Sequence, residues 1–102
     1  MKLTEEMKSV IQSAQFISLI TLNEDGTPHP IIVGGKSVAG DAVEIKIYKM
    51  ETTQKNLAAN SKMWVLAAAI GDSGPKGFQF AGSASVDAGK VVFTPESTTV
   101  LI

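Results

Sequence analysis

From Phe78 to Val86 the chain alternates without interruption: Phe78, Phe80, Gly82, Ala84 and Val86 on one parity, Gln79, Ala81, Ser83 and Ser85 on the other. A period of two sends the two sets to opposite faces of a β-strand, so this segment requires a sheet with one face against a core. Gly82 inside the run marks a bulge or a close backbone approach, because it offers no side chain to pack. Whatever else the chain forms, it contains a sheet.

The remaining segments fit that sheet. Phe16–Leu22 is β-rich with apolar residues on both parities, which predicts a strand buried on both faces. Asn23-Glu24-Asp25-Gly26 is a hairpin signal, since Asp-Gly suits the positive φ of a primed turn. The return strand, about Pro28 to Gly34, carries Pro28 and Pro30, which cannot donate to a ladder and belong on an edge. Val43–Lys49 alternates cleanly, Met63–Ile70 reads as a strand, and Gly71–Gly77 is a loop by composition. Val91–Phe93 is a last short strand, and 96–102 is open between strand and helix. Two short helices complete the set. Thr4 caps one carrying Met7, Val10, Ile11 and Ala14 at i, i+3, i+4 and i+7, and 52–60 forms another with Thr caps at its start and Asn60 in a left-handed end. About six short strands with hairpin spacing imply a closed antiparallel barrel.

Composition narrows the chemistry. The 102 residues include nine Lys, no Arg, ten acids, one His and no Cys. No disulfide, cysteine nucleophile or thiolate metal site is possible, and one His makes a protein-built metal site unexpected. A net charge of −1 with scattered lysines argues against nucleic-acid binding. Residues 1–6 have no signal-peptide character, and no apolar run approaches the roughly 20 residues of a spanning helix. A soluble, cytoplasmic, single-domain protein (1–102) that engages neither nucleic acid nor membrane is expected. His29 is the only imidazole available as a base, which makes a hydrolase the weakest reading.

One segment stands out chemically: Ile47-Tyr48-Lys49-Met50-Glu51-Thr52-Thr53-Gln54-Lys55-Asn56. A strand ends, hydroxyl residues follow, a helix begins and lysines flank it. Free N–H groups at a helix N-terminus together with Thr hydroxyls and Lys ammoniums suit a phosphate. The residues alone leave open the plainer reading of a Thr N-cap with solvated lysines.

In order, Asp25-Gly26-Thr27-Pro28-His29-Pro30, a strand ending near Tyr48, Thr53-Gln54-Lys55-Asn56-Leu57-Ala58-Ala59-Asn60 and Gln79-Phe80-Ala81-Gly82-Ser83-Ala84 resemble the pyridoxamine 5′-phosphate oxidase-like FMN-binding split barrels. The resemblance runs from about Leu3 to Val86. It implies a mainly β, six-stranded antiparallel Greek-key split barrel, dimeric, with FMN at the subunit interface. By that resemblance Pro30, Ile31, Ile32, Val33 and Gly34 present backbone to the flavin ring, which fits the glycine pair Gly34-Gly35 that lets a flat ligand approach. Lys49, Met50, Thr52 and Thr53 lie about the phosphate, Tyr48 belongs to the cofactor site, and Gln79 is near the flavin. Asn56 and Leu57 lock the helix to the barrel.

The chain departs from the family's pattern in two places. Thr52 stands where relatives often have Lys or Arg, so Lys49 or Lys55 has to supply the charge. The short tail lacks the Arg and His of true pyridoxamine phosphate oxidases, and that activity is not expected. The resemblance therefore implies an FMN flavoprotein, an oxidoreductase or electron carrier with a small-molecule or protein electron partner and no assigned catalytic side chain. The alternative is a dimeric split-barrel module that has lost FMN or binds haem or a deazaflavin.

Overall fold

In the computed structural model, which describes residues 1–102, Thr4 opens helix α1 (Glu5–Ser13) by accepting a hydrogen bond from the Met7 N–H at 3.1 Å. Val10, Ile11 and Ala14 bury the stripe read from the sequence, against β5, β6 and β3. The strands are β1 (Ile17–Leu22), β2 (Pro28–Val33), β3 (Lys36–Ala39), β4 (Ala42–Lys46), β5 (Lys62–Gly71), β6 (Gly74–Asp87) and β7 (Lys90–Val100). Helix α2 (Glu51–Ala59) links β4 to β5. No helix is long and apolar enough to cross a membrane.

All strands pair antiparallel in one sheet, in the order β2-β1-β5-β6-β7-β4-β3. β4 returns through α2 to lie beside β7 of the β5-β6-β7 meander, which makes a Greek key. The sheet is curled but open, with β2 and β3 as its edges, so it is a split barrel rather than a closed one. It has seven strands, not six. The added strand is β3, short and held by its pairing with β4.

Other expectations are corrected. β1 is buried on one face and only half-buried on the other, because Ser18, Ile20 and Leu22 face outward. The Asn23–Gly26 turn places only Gly26 at positive φ (+85°), so it is not a primed turn. Residues 71–77 are not a loop: β5 and β6 continue pairing to Gly71↔Gly74, leaving Asp72-Ser73 as the turn. β7 reaches Val100, which resolves the tail as strand. At Gly82 the β6–β7 register shifts, as a bulge requires, and a Cβ there would overlap the Thr94 carbonyl. One core, including Phe80, Phe93, Leu19, Ile45 and Met63, fills the concave side.

Candidate functional site

β2 ends at Val33 and runs into Gly34-Gly35, which present no side chain to a ligand. Across from them β4 ends at Lys46, whose N–H donates to the Gly35 carbonyl at 2.9 Å. The chain then passes through Tyr48 and turns sharply at Lys49 (φ 65°) and Met50 (φ 56°). Two successive non-glycine residues in the left-handed region cost of order 1–3 kcal/mol each, and such strain clusters at functional sites. Between these segments lies a groove of about 490 Å³, lined by Ile31, Ile32, Val33, Gly34, Gly35, Lys46, Tyr48 and Met50. That volume suits a small organic ligand, for which clefts of roughly 300–1,000 Å³ are usual. Ile32 and Tyr48 are 67% and 79% exposed here, large apolar surface with nothing covering it.

Met50 connects the groove to α2. It is the N-cap, and no side chain caps this helix. The expected Thr cap is therefore absent, and Thr52 and Thr53 lie in the first turn instead. At the other end Asn60 is extended rather than left-handed. The first bond of the helix runs from the Gln54 N–H to the Met50 carbonyl at 2.9 Å. The N–H groups of Glu51, Thr52 and Thr53 precede it and have no partner within the helix. Thr53 is fully buried, and its hydroxyl has no hydrogen-bond partner. A helix N-terminus with free amides attracts anions, and an unpaired buried hydroxyl costs about 1–3 kcal/mol unless something completes it.

The structure brings six of the sequence-derived residues together in the groove: Ile31, Ile32, Val33, Gly34, Tyr48 and Met50. Pro30 is adjacent on β2 but outside the lining, and it is exposed opposite Ile20. The Val33 side chain joins the core, so Ile32 is the apolar residue that the groove offers outward. Lys49 is exposed at the left-handed turn. Thr52 and Lys55 line a neighbouring polar cleft with Asn23, Glu24, Asp25 and Asn56. Gln79 is not in the groove. It is half-buried on the outer face of β6, between Leu66 and Thr99.

Gly35 and Lys46 complete the lining, and of the two only Lys46 was not expected there. Gly35 was visible as half of a glycine pair. Lys46 read only as the wet parity of an alternating strand.

Asn56 and Leu57 lock α2 in place, as expected. The Asn56 amide donates to Thr21 Oγ1 and Asn23 Oδ1, both at 3.0 Å, and Leu57 is buried. The hairpin beside them is tightened by Asp25, whose carboxylate accepts from the Thr27 hydroxyl at 2.5 Å and the Thr27 N–H at 3.0 Å. The Thr27 hydroxyl, then its N–H, holds the Asp25 pKa below its ordinary value.

No family model and no curated protein matches the sequence. Solved structures match it in fold. An FMN-binding protein from Syntrophomonas wolfei superposes with a TM-score of 0.81 at 13% identity, over 98% of this chain and 86% of that one. A Lactobacillus delbrueckii protein described as a candidate pyridoxamine 5′-phosphate oxidase gives 0.79 at 19% identity, over 96% and 93%. An F420 reductase gives 0.73 at 14%, over 90% and 94%. At these identities the likeness is one of fold. The chain has the split-barrel fold of these structures, and the resemblance carried by its motifs holds at that level.

Proposed function

We propose that the chain binds FMN, its ring in the groove between β2 and β4 and its phosphate at the N-terminus of α2. One observation carries this reading: the apolar groove ends at Met50, where three unpaired helix amides and the unpartnered Thr53 hydroxyl follow directly. That arrangement suits a flat, apolar ligand with an anionic tail. An S. wolfei protein of this fold is described as FMN-binding, which favours a flavin among ligands of that shape.

The residues fit the group in kind. Ile31, Ile32 and Met50 offer apolar contact, Gly34 and Gly35 let a planar ring approach backbone, and Lys49 and Lys55 are close in sequence to the anion end. Without Arg, no bidentate phosphate contact forms, so the helix amides and hydroxyls bear more of the binding. A bound flavin supplies the hydride or electron chemistry itself. The chain's part is to hold and orient it and to set the polarity around it.

We further propose a homodimer. The outer face of β2-β1-β5-β6 presents Ile32, Pro30, Ile20, Trp64 and Leu66 next to one another, continuous with the groove through Ile32. A second copy seated there would cover the uncovered apolar surface. It would also bring Gln79, on that same face, near a partner's groove.

Fluorescence titration of the purified protein with FMN and with riboflavin tests the reading. Binding of FMN at least tenfold tighter than riboflavin supports it. Equal binding of the two, or binding of neither, overturns it. Preferential uptake of coenzyme F420 or haem would favour the alternative ligands.

A further inference from the structure

The end of β4 carries a charge that the fold leaves without a partner. Glu44 and Lys46 share the outward parity of this strand, and the ladder sets Lys46 directly opposite Lys90 of β7. Like charges facing each other across a strand pair repel. One of the two is compensated, because Lys90 Nζ meets Glu44 Oε1 at 3.0 Å. Lys46 makes no ion pair.

These three side chains line a second cavity of about 440 Å³, with Gly35, Lys36, Ser37, Ala88 and Gly89. Glu44 is its only carboxylate, set against three lysines. The Lys36 ammonium is taken by the Ala14 carbonyl. Lys46 therefore supplies the uncompensated charge, while Lys90 keeps ammonium protons beyond the one that Glu44 accepts. Ser37, opposite Glu44 on the same face, adds a hydroxyl. The wall is held in place: the Ile47 N–H donates to the Gly89 carbonyl at 3.1 Å, pinning the β6–β7 turn against β4. Gly35 and Lys46 also line the apolar groove, so the two cavities adjoin.

We propose that this second cavity is an anion subsite, in which Lys46 and Lys90 hold the carboxylate or phosphate of a small molecule lying against the occupant of the groove. An anion between the two ammoniums relieves their repulsion and gives Lys46 the counter-charge that β4 does not provide. Gly35 puts no side chain between the cavities, so the rest of the molecule can reach the groove. With FMN there, the subsite belongs to an anionic electron donor or acceptor. That last assignment rests on the reading given under Proposed function.

The test titrates succinate, inorganic phosphate and neutral succinamide into the ¹⁵N-labelled protein without FMN, at constant ionic strength. Succinate or phosphate is expected to give saturable shifts at the amides of Lys46, Ala88, Gly89 and Lys90, and succinamide none. Lys46→Met keeps the stem and removes the charge, and is expected to weaken binding about tenfold, the worth of one charge-assisted hydrogen bond. Lys90→Met also releases Glu44 and is expected to weaken it at least as much. Lys76→Met, at the other end of β6, should change nothing. Equal losses in Lys46→Met and Lys76→Met, or shifts that never saturate, mean general ionic attraction and overturn the proposal. Shifts confined to Thr52 and Thr53 put the anion at α2 and overturn it too. Saturating FMN is then added. Succinate that stays bound at Lys46 and Lys90 supports two adjoining sites, whereas succinate displaced by FMN means one site and overturns the proposal. If FMN does not bind but succinate does, with the expected Lys46 dependence, the flavin reading fails and the anion subsite stands.

Discussion

The side-chain amide of Asn56 donates to the hydroxyl of Thr21 at 3.0 Å, joining α2 to β1 between two buried residues. The same amide nitrogen reaches Asn23 Oδ1, so one side chain ties the helix to both the strand and the turn that follows it. This matters for the site because α2 carries the unpaired amides, and its position relative to the sheet decides where they lie.

Replacing Asn56 by Ala removes both bonds and strands the buried Thr21 hydroxyl. A loss of about 1–3 kcal/mol of unfolding free energy is expected, read by urea denaturation. A change within about 0.5 kcal/mol would mean that α2 is held by apolar contacts such as Leu57 alone.

Thr53→Val is nearly isosteric and deletes a buried hydroxyl that has no partner. The ligand-free protein should therefore become more stable, by about 1 kcal/mol, while FMN binds more weakly. Stability and function move in opposite directions, as expected where a site is held unsatisfied for a ligand. Paired thermal melts, with and without FMN, check both halves. A variant that is destabilised without ligand contradicts the assignment.

Leu66 lies on the outer sheet face beside Trp64 and opposite Ser18 and Gln79. Leu66→Lys is expected to convert a dimer into a monomer in sedimentation velocity, with the circular dichroism spectrum unchanged. A monomeric unaltered protein, or a dimer that persists in the variant, would remove that face from the interface.

Asp25 predicts a pH dependence. Its pKa is lowered from 3.8 in the folded chain by the Thr27 hydroxyl and N–H. A depressed folded value means that the contribution to stability is fully present above about pH 3.8 and is lost as pH falls through the folded pKa. The stability gap between the native protein and Asp25→Asn should be flat from pH 7 to about 5 and shrink below 3.8. A gap that widens in acid would contradict the hydrogen-bond geometry of the turn.

How much was legible in the sequence follows from where each feature's cause lies. The Thr4 cap, the edge placement of Pro28 and Pro30 and the Gly82 bulge have local causes, and each was visible from a few residues. β3 was not, because Lys36–Ala39 is too short to show a period and exists through its partner β4. The glycine- and proline-rich stretch after Ile70 has loop composition, yet pairings such as Ala69↔Lys76 carry the hairpin through it. The start of α2 was misread for a related reason. The usual Thr-cap rule gave way to a left-handed turn at Lys49–Met50, which the close β4–α2 connection demands and no local propensity announces. The groove residues of β2 and the glycine pair that follows them came from the family resemblance, whereas Lys46 joins them only through the bond from its N–H across to the Gly35 carbonyl.

The most direct measurement is a ¹⁵N–¹H correlation spectrum of the labelled protein as FMN is added. The account predicts large shifts for the amides of Gly34, Gly35 and Tyr48 and for those of Thr52 and Thr53, with riboflavin reproducing only the first group. Shifts confined to Asn23, Glu24 and Asp25 of the neighbouring polar cleft, or a spectrum that FMN leaves unchanged, would contradict it.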